Sequence, residues 1–292
     1  MNLLQSLLAS NTLLAVPFFV GLLMLLRPGQ WRAAGLLLPH ERRAVWWRRG
    51  ATLLGLVVAA LLAYLPVLGL RGDWLAGPAF GAVVLAGVLA GELAVPRPAS
   101  DVRSATLATR RIRDYLPRGH RVLLAVLLAA LVALLTTMAV LAGSHPASRR
   151  GIHFACEGVT EIIPAAAVGM PAITATAFTL VGSAALCLPV LRKIVGRPPI
   201  AAGSDGATRD AALREGSAHA VFYAWGCLLA SSLFTSALVV HVLFGGFAST
   251  CTSWWLTPLN VAAYLAMAMG GPAFVYLLTK LTHQPRYRQA AP

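Results

Sequence analysis

Long apolar runs alternate with short charged segments along the whole 292-residue chain. A helix needs roughly 20 mostly apolar residues to cross the hydrocarbon core of a bilayer. The hydrophobic pattern predicts seven such spans, at about 3–26, 51–70, 74–95, 122–143, 168–191, 219–245 and 255–279. The fold class predicted is therefore all-α, a polytopic membrane protein in which each helix satisfies its own backbone hydrogen bonds.

The composition agrees with a membrane protein. Of all residues 58% are hydrophobic and only 12% are charged, whereas a soluble domain carries about 25% charged residues. The segments between spans are also shorter than the roughly 40 residues that a small independent domain usually needs. We therefore expect one membrane domain over residues 1–292 and no separate soluble domain.

The basic residues predict the orientation of the chain. All but three of the 24 lysines and arginines fall in the segments after spans one, three, five and seven, and the exceptions are Arg71, Arg149 and Arg150. Because positive residues collect on the cytoplasmic side, an odd number of spans then places the N-terminus outside and the C-terminus inside. The first apolar run has no basic residue before it, unlike a secretory signal peptide, so we expect it to be retained.

Two arginine-rich segments show patterns typical of helices at a membrane surface. In residues 101–116 the apolar positions share one helical face, and the basic positions Arg103, Arg110, Arg111 and Arg113 are predicted to contact anionic headgroups. Residues 41–49, ERRAVWWRR, resemble this segment and place Trp46 and Trp47 at headgroup depth. Both segments fit anchoring and orientation, and the alternative is a docking surface for a cytoplasmic protein. The net charge of +14 would also suit a nucleic-acid-binding protein, but this distribution argues against one.

Predicted span three combines small residues with one acidic residue. Gly77 and Gly81, and then Gly87 and Gly91, are spaced four apart, which lets helix backbones approach closely. This predicts packing within the bundle, and the alternative is the interface of a homo-oligomer. Glu92 is an intramembrane acid and so a functional candidate. The alternative for Glu92 is an interfacial salt bridge with the nearby Arg97.

Predicted spans five and six carry polar stripes at helical spacing. Span five has Thr176, Thr179, Ser183 and Cys187, and span six has His219, Tyr223, Cys227, Ser231 and Thr235. We expect the two stripes to face each other, either as hydrogen bonds between helices or as the lining of a polar path. No acidic residue lies in the middle of a span, which argues against a proton-driven pump.

The outer segment between spans four and five holds the best candidate metal ligands. His153, Glu157 and Glu161 are spaced four apart, so a helix would align them on one side, where imidazole and carboxylate groups can bind a divalent cation. The pattern is not a known metalloprotease motif. Cys156 and Cys251 both fall in outer segments, where an oxidising environment permits a disulfide between them.

Residues Gly91–Arg118, GELAVPRPASDVRSATLATRRIRDYLPR, resemble a stretch of uncharacterised multi-pass integral membrane proteins of actinobacteria. The resemblance implies a bacterial plasma membrane and supplies neither an activity nor catalytic residues. The chain lacks a lysine inside span seven for a retinal and a pair of histidines at one depth for a haem, so we expect no cofactor.

These patterns predict a non-enzymatic plasma-membrane protein, either permease-like or a membrane accessory subunit, with a basic cytoplasmic surface. The alternative is an intramembrane enzyme or a metal-binding protein that uses the histidine and glutamates of the outer face.

Overall fold

The computed structural model describes residue 23 and residues 39–64, 72–94, 117–143, 151–156, 159–164, 170–196, 204–245 and 255–282. These residues form six helices and one hairpin: α1 (Pro39–Tyr64), α2 (Gly72–Leu93), α3 (Arg118–Gly143), β1 (Gly151–Cys156), β2 (Val159–Pro164), α4 (Met170–Val195), α5 (Ser204–Gly245) and α6 (Leu256–Thr282).

All six described helices are long and apolar enough to cross a membrane, which is compatible with a multi-pass integral membrane protein. They correspond to predicted spans two to seven. The first predicted span, 3–26, lies outside the described residues apart from Leu23, and so does the predicted surface helix at 101–116. The total of seven spans therefore stays a prediction.

Helix α1 corrects one expectation from the sequence. The segment 41–49 is not a separate surface helix, because α1 runs without a break from Pro39 to Tyr64. Proline suits the first turn of a helix, where its missing N–H has no partner to lose. The arginines that follow can keep their charged ends in water while their stems lie along apolar surface, so charge does not end the helix.

Helix α5 is the centre of the bundle. In its most apolar stretch 78% of the positions are buried, against 28% in α1 and 33% in α3. It packs against α2, α3, α4 and α6. Its 42 residues correspond to about 63 Å, roughly twice the thickness of the hydrocarbon core. Helix α5 is therefore about twice as long as the crossing of a bilayer requires.

The paired glycines of α2 are used for packing inside the bundle. A Cβ atom at Gly77 would meet the carbonyl oxygen of Ser231, and one at Gly81 would meet the Cα of Leu228, both in α5. The other two glycines, Gly87 and Gly91, lie in the same way against α1. Helix α2 is thus held between α5 and α1 at backbone distance, which confirms the packing interpretation. The alternative, the interface of a homo-oligomer, stays a prediction.

Candidate functional site

The charged ends of the six described helices lie together. The contacts that join them are Arg48–Glu92, Lys193 with the carbonyl of Leu93, Arg214 with the carbonyl of Val195, and His120 with Tyr223 and Tyr276. These contacts connect α1 to α2, α4 to α2, α5 to α4, and α3 to both α5 and α6. We call this end of the bundle the basic end. It holds two polar clusters.

The first cluster is an ion pair between α1 and α2. The Nη2 of Arg48 lies 2.6 Å from Oε1 of Glu92, and the Glu92 side chain is only 1% exposed. The second carboxylate oxygen, Oε2, is also buried and has no hydrogen-bond partner among the described residues. Among the described residues the carboxylate therefore depends on Arg48 for its charge compensation, and Arg48 precedes it by 44 positions. Arg97, the partner considered from the sequence, lies outside the described residues.

The second cluster is built around His120, in the first turn of α3. Its Nε2 lies 3.1 Å from the hydroxyl of Tyr276 and 3.5 Å from the hydroxyl of Tyr223. A ring with its proton on Nδ1 accepts a hydroxyl hydrogen at Nε2, and the contact with Tyr276 is the shorter of the two. The ring of His219 lies 5.7 Å from that of Tyr223, and Lys280 Nζ lies 5.6 Å above the ring of Tyr276.

This cluster brings together three helices and hydrogen-bonding groups of three kinds: imidazole, phenol and ammonium. The sequence pattern included His219 and Tyr223 but missed His120, Tyr276 and Lys280. The missed residues lie at the ends of spans, and although Tyr276 and Lys280 are four apart on α6, no spacing along the chain connects them to His120. Among the described residues no group of three or more histidine, cysteine, aspartate or glutamate side chains can hold a metal ion. The cluster fastens α3 to the basic end of α5 and α6.

The predicted polar seam is only partly formed between α4 and α5. Trp225 Nε1 of α5 donates a hydrogen bond to Ser183 Oγ of α4 over 3.2 Å. Thr176 and Thr179 donate instead to carbonyl oxygens one turn earlier in α4. Cys187 and Cys227 are buried free cysteines, as small apolar residues would be.

The other half of the seam faces α2, so the two stripes face each other over only part of their length. Ser231 Oγ donates to the carbonyl of Gly77 over 2.9 Å, and Thr235 Oγ1 donates to the carbonyl of Ser231 over 2.9 Å. The physical reason is size. A Cβ atom at Gly77 would meet the carbonyl oxygen of Ser231 and the hydroxyl of Thr235, so the glycine leaves room for this contact with α2.

A matched pair of substitutions tests this assignment. Replacing Ser231 by alanine removes the bond to α2 and is expected to cost about 0.6 kcal/mol of stability in a membrane protein. Ser232 is equally buried, but its hydroxyl has no hydrogen-bond partner among the described residues. Ser232→Ala is therefore expected to be neutral or stabilising. Thermal unfolding of both variants in detergent measures the difference, and equal losses would contradict the contact with Gly77.

His153 and Glu161, two of the three candidate ligands of the outer segment, lie on strands rather than on one helix. Strands β1 and β2 pair antiparallel, with His153 opposite Ile162 and Glu161 opposite Phe154. Neighbouring positions alternate between the two faces of a strand, so this register assigns positions 153 and 161 to opposite faces. The helical arrangement assumed from the four-residue spacing is wrong. Glu157 lies outside the described residues, and binding of a metal by these residues stays a prediction that metal analysis of the purified protein can test.

The predicted disulfide also stays a prediction. Cys156 ends β1, whereas Cys251 lies outside the described residues. Labelling with a thiol reagent before and after reduction would test the bond.

Comparison with known proteins found no match to a family model, a curated protein or a solved structure. The similarity of residues 91–118 to actinobacterial membrane proteins therefore stays a prediction. A proposal for function has to come from the geometry of the chain itself.

Proposed function

We propose that the protein is a single seven-span domain of a bacterial plasma membrane, with its N-terminus outside and its C-terminus in the cytoplasm. Its role is that of a non-enzymatic accessory subunit rather than a permease. The observation that carries the proposal is the basic end, where all six described helices bring their charged residues together.

The orientation follows from the positive-inside rule. The exposed Trp46 and Trp47 lie among the arginines of α1 and favour a position of this end at an interface between membrane and water, where tryptophan is enriched on either side. Arg103, Arg110, Arg111 and Arg113 lie outside the described residues, and their contact with anionic headgroups is part of the proposal.

The packing of α5 favours an accessory subunit over a permease. A solute path needs polar side chains around a cavity, but Ser231 is 2% exposed and Thr235 is fully buried. Both are hydrogen-bonded to backbone carbonyls. Two grooves on the described bundle are lined mainly by apolar residues, and neither contains a residue of α5. The polar groups of the central helix therefore hold helices together.

Cysteine labelling tests both parts of the proposal. Single cysteines replace Arg121 at the basic end, Thr257 at the opposite end and Ser231 in the core, after the four native cysteines have been changed to serine or alanine. Thr257→Cys is expected to react with a membrane-impermeant maleimide on intact cells, whereas Arg121→Cys reacts only after the cells are opened. Ser231→Cys is expected to resist a small hydrophilic thiol reagent in both cases.

The three positions separate the possible failures. Arg121 and Thr257 are exposed in the structure, so each acts as the accessibility control for the other. The reverse pattern at these two positions would overturn the orientation. Rapid reaction at Ser231→Cys, with the other two as expected, would overturn the accessory role and favour a permease.

A further inference from the structure

A groove of about 640 Å³ lies between α1 and α2 on the outside of the bundle. Its volume is in the range of small-molecule binding sites, which measure about 300–1,000 Å³. At Gly87 the two helices approach closely, because a Cβ atom there would collide with Ala51. The floor is formed by small residues, and Leu54 of α1 forms part of one wall.

The chemistry of the groove changes along its length. Arg43 lies at the basic end, Trp46 and Trp47 come next, and the remaining lining residues are small or apolar. From Arg43 to Leu54 the helix rises about 16 Å, which is about half the 30 Å hydrocarbon core, or one leaflet of a bilayer. Charge, indole rings and apolar surface thus follow one another along the groove. A charged headgroup, an ester region and an acyl chain follow one another in the same order along a phospholipid.

Arg43 is available to a ligand. It is exposed, and it makes no hydrogen bond or ion pair with the part of the chain that the structure describes. By contrast, Arg48, one and a half turns further along α1, is committed to Glu92. The free guanidinium at the mouth of the groove complements an anionic phosphate, which arginine recognises well.

Gly50 leaves open space in the lining of the groove. It lies inside α1, where glycine is less favourable than alanine. The four glycines of α2 are explained by backbones that approach closely, but a Cβ atom at Gly50 would meet nothing within 4 Å. Contacts within the described chain therefore give no reason for a glycine at this point in the floor of the groove.

We propose that one phospholipid with an anionic headgroup binds in this groove. Its phosphate contacts Arg43, its ester region lies beside Trp46 and Trp47, and an acyl chain runs past Gly50 to Leu54. The proposal rests on the function proposed above, since it needs the basic end to lie at a membrane surface. A second copy of the chain fits less well, because a two-fold contact here would bring the Arg43 residues of both copies to the same depth, where they would repel each other.

The test uses the full chain in detergent and native mass spectrometry with phosphatidylglycerol or phosphatidylcholine of identical acyl chains. One phosphatidylglycerol is expected to be retained in preference to phosphatidylcholine. Arg43→Gln is expected to weaken the binding of phosphatidylglycerol about fivefold. Gly50→Phe fills the groove and is expected to abolish retention of both lipids.

The matched controls are Arg192→Gln, another exposed arginine at the basic end, and Gly182→Phe, another helical glycine with open space around it. Both are expected to bind as the parent protein does. Equal retention of the two lipids, or no change in Arg43→Gln and Gly50→Phe, would overturn the site. A dimer that Gly50→Phe dissociates would overturn it as well, in favour of a second copy.

The outcome does not depend on the labelling experiment. Binding in detergent is indifferent to orientation, so a reversed topology with intact lipid selectivity would count against the proposed function alone. The expected topology without lipid selectivity would count against the groove alone.

Discussion

Replacement of Arg48 by methionine is expected to destabilise the bundle by about 3 kcal/mol or more. The Glu92 side chain is 1% exposed, and the substitution leaves its carboxylate in the helix interface without a cation. Removing one partner of a buried ion pair costs more than the pair contributes, because the remaining charge loses its compensation and cannot regain water. Unfolding of the purified protein in mixed micelles of detergent and denaturant measures the loss.

The double variant Arg48→Met, Glu92→Leu is the decisive comparison. It replaces both charges by apolar groups of similar length, so most of the lost stability is expected to return. Arg121→Met removes an exposed arginine at the same end and is expected to change stability by about 0.5 kcal/mol or less. If the double variant is no more stable than Arg48→Met alone, the loss does not come from an orphaned carboxylate.

The ion pair also bears on the proposed lipid site. Arg48 and Glu92 hold α1 against α2 at the basic end, and Gly87 lets the same two helices approach one turn further into the bundle. The groove lies directly along this seam. Substitutions at the pair are therefore expected to alter lipid binding by changing the spacing of the helices, whereas Arg43→Gln alters it by removing the phosphate contact alone.

The positions of the six described helices could be predicted from the sequence, since an apolar run long enough to cross a bilayer is a local property. Their ends were harder to predict where a helix begins within a charged segment, before the apolar run starts. Helix α1 begins at Pro39 and α5 at Ser204, whereas the apolar runs suggested starts near 51 and 219. A hydropathy profile ends an apolar run at arginine. A helix can nevertheless continue through arginine wherever the side chain can reach water.

The contacts between helices could not be predicted in the same way. Ser231 and its acceptor Gly77 are 154 positions apart, and His120 and Tyr276 are 156 apart. Helical periodicity says which residues share a face but not which neighbour that face meets. The polar residues of α5 do lie along one stripe, but α4, the helix predicted to face them, meets only part of that stripe. Similarly, the spacing of His153 and Glu161 fits one face of a helix, and only strand pairing shows that the local structure is different.

A single methyl group at position 81 is expected to disturb the packing of the central helix strongly. Gly81→Ala places a Cβ atom against the Cα of Leu228, and a backbone atom cannot rotate aside as a side-chain end can. Helices α2 and α5 must then move apart along the most buried surface of the bundle. We expect a loss of about 3 kcal/mol, at the upper end of the usual cost of overpacking.

The matched control is Gly182→Ala in α4, where a Cβ atom meets nothing within 4 Å. The same chemical change there has no steric cost and gains the helix propensity of alanine, so stability is expected to rise by up to about 1 kcal/mol. A lower free energy of unfolding in Gly81→Ala and a higher one in Gly182→Ala would show that close approach of backbones, rather than glycine content, holds α2 to α5. Equal behaviour would mean that α2 and α5 do not meet at Gly81. The assignment of Ser231 to α2, which depends on the same interface, would then fail with it.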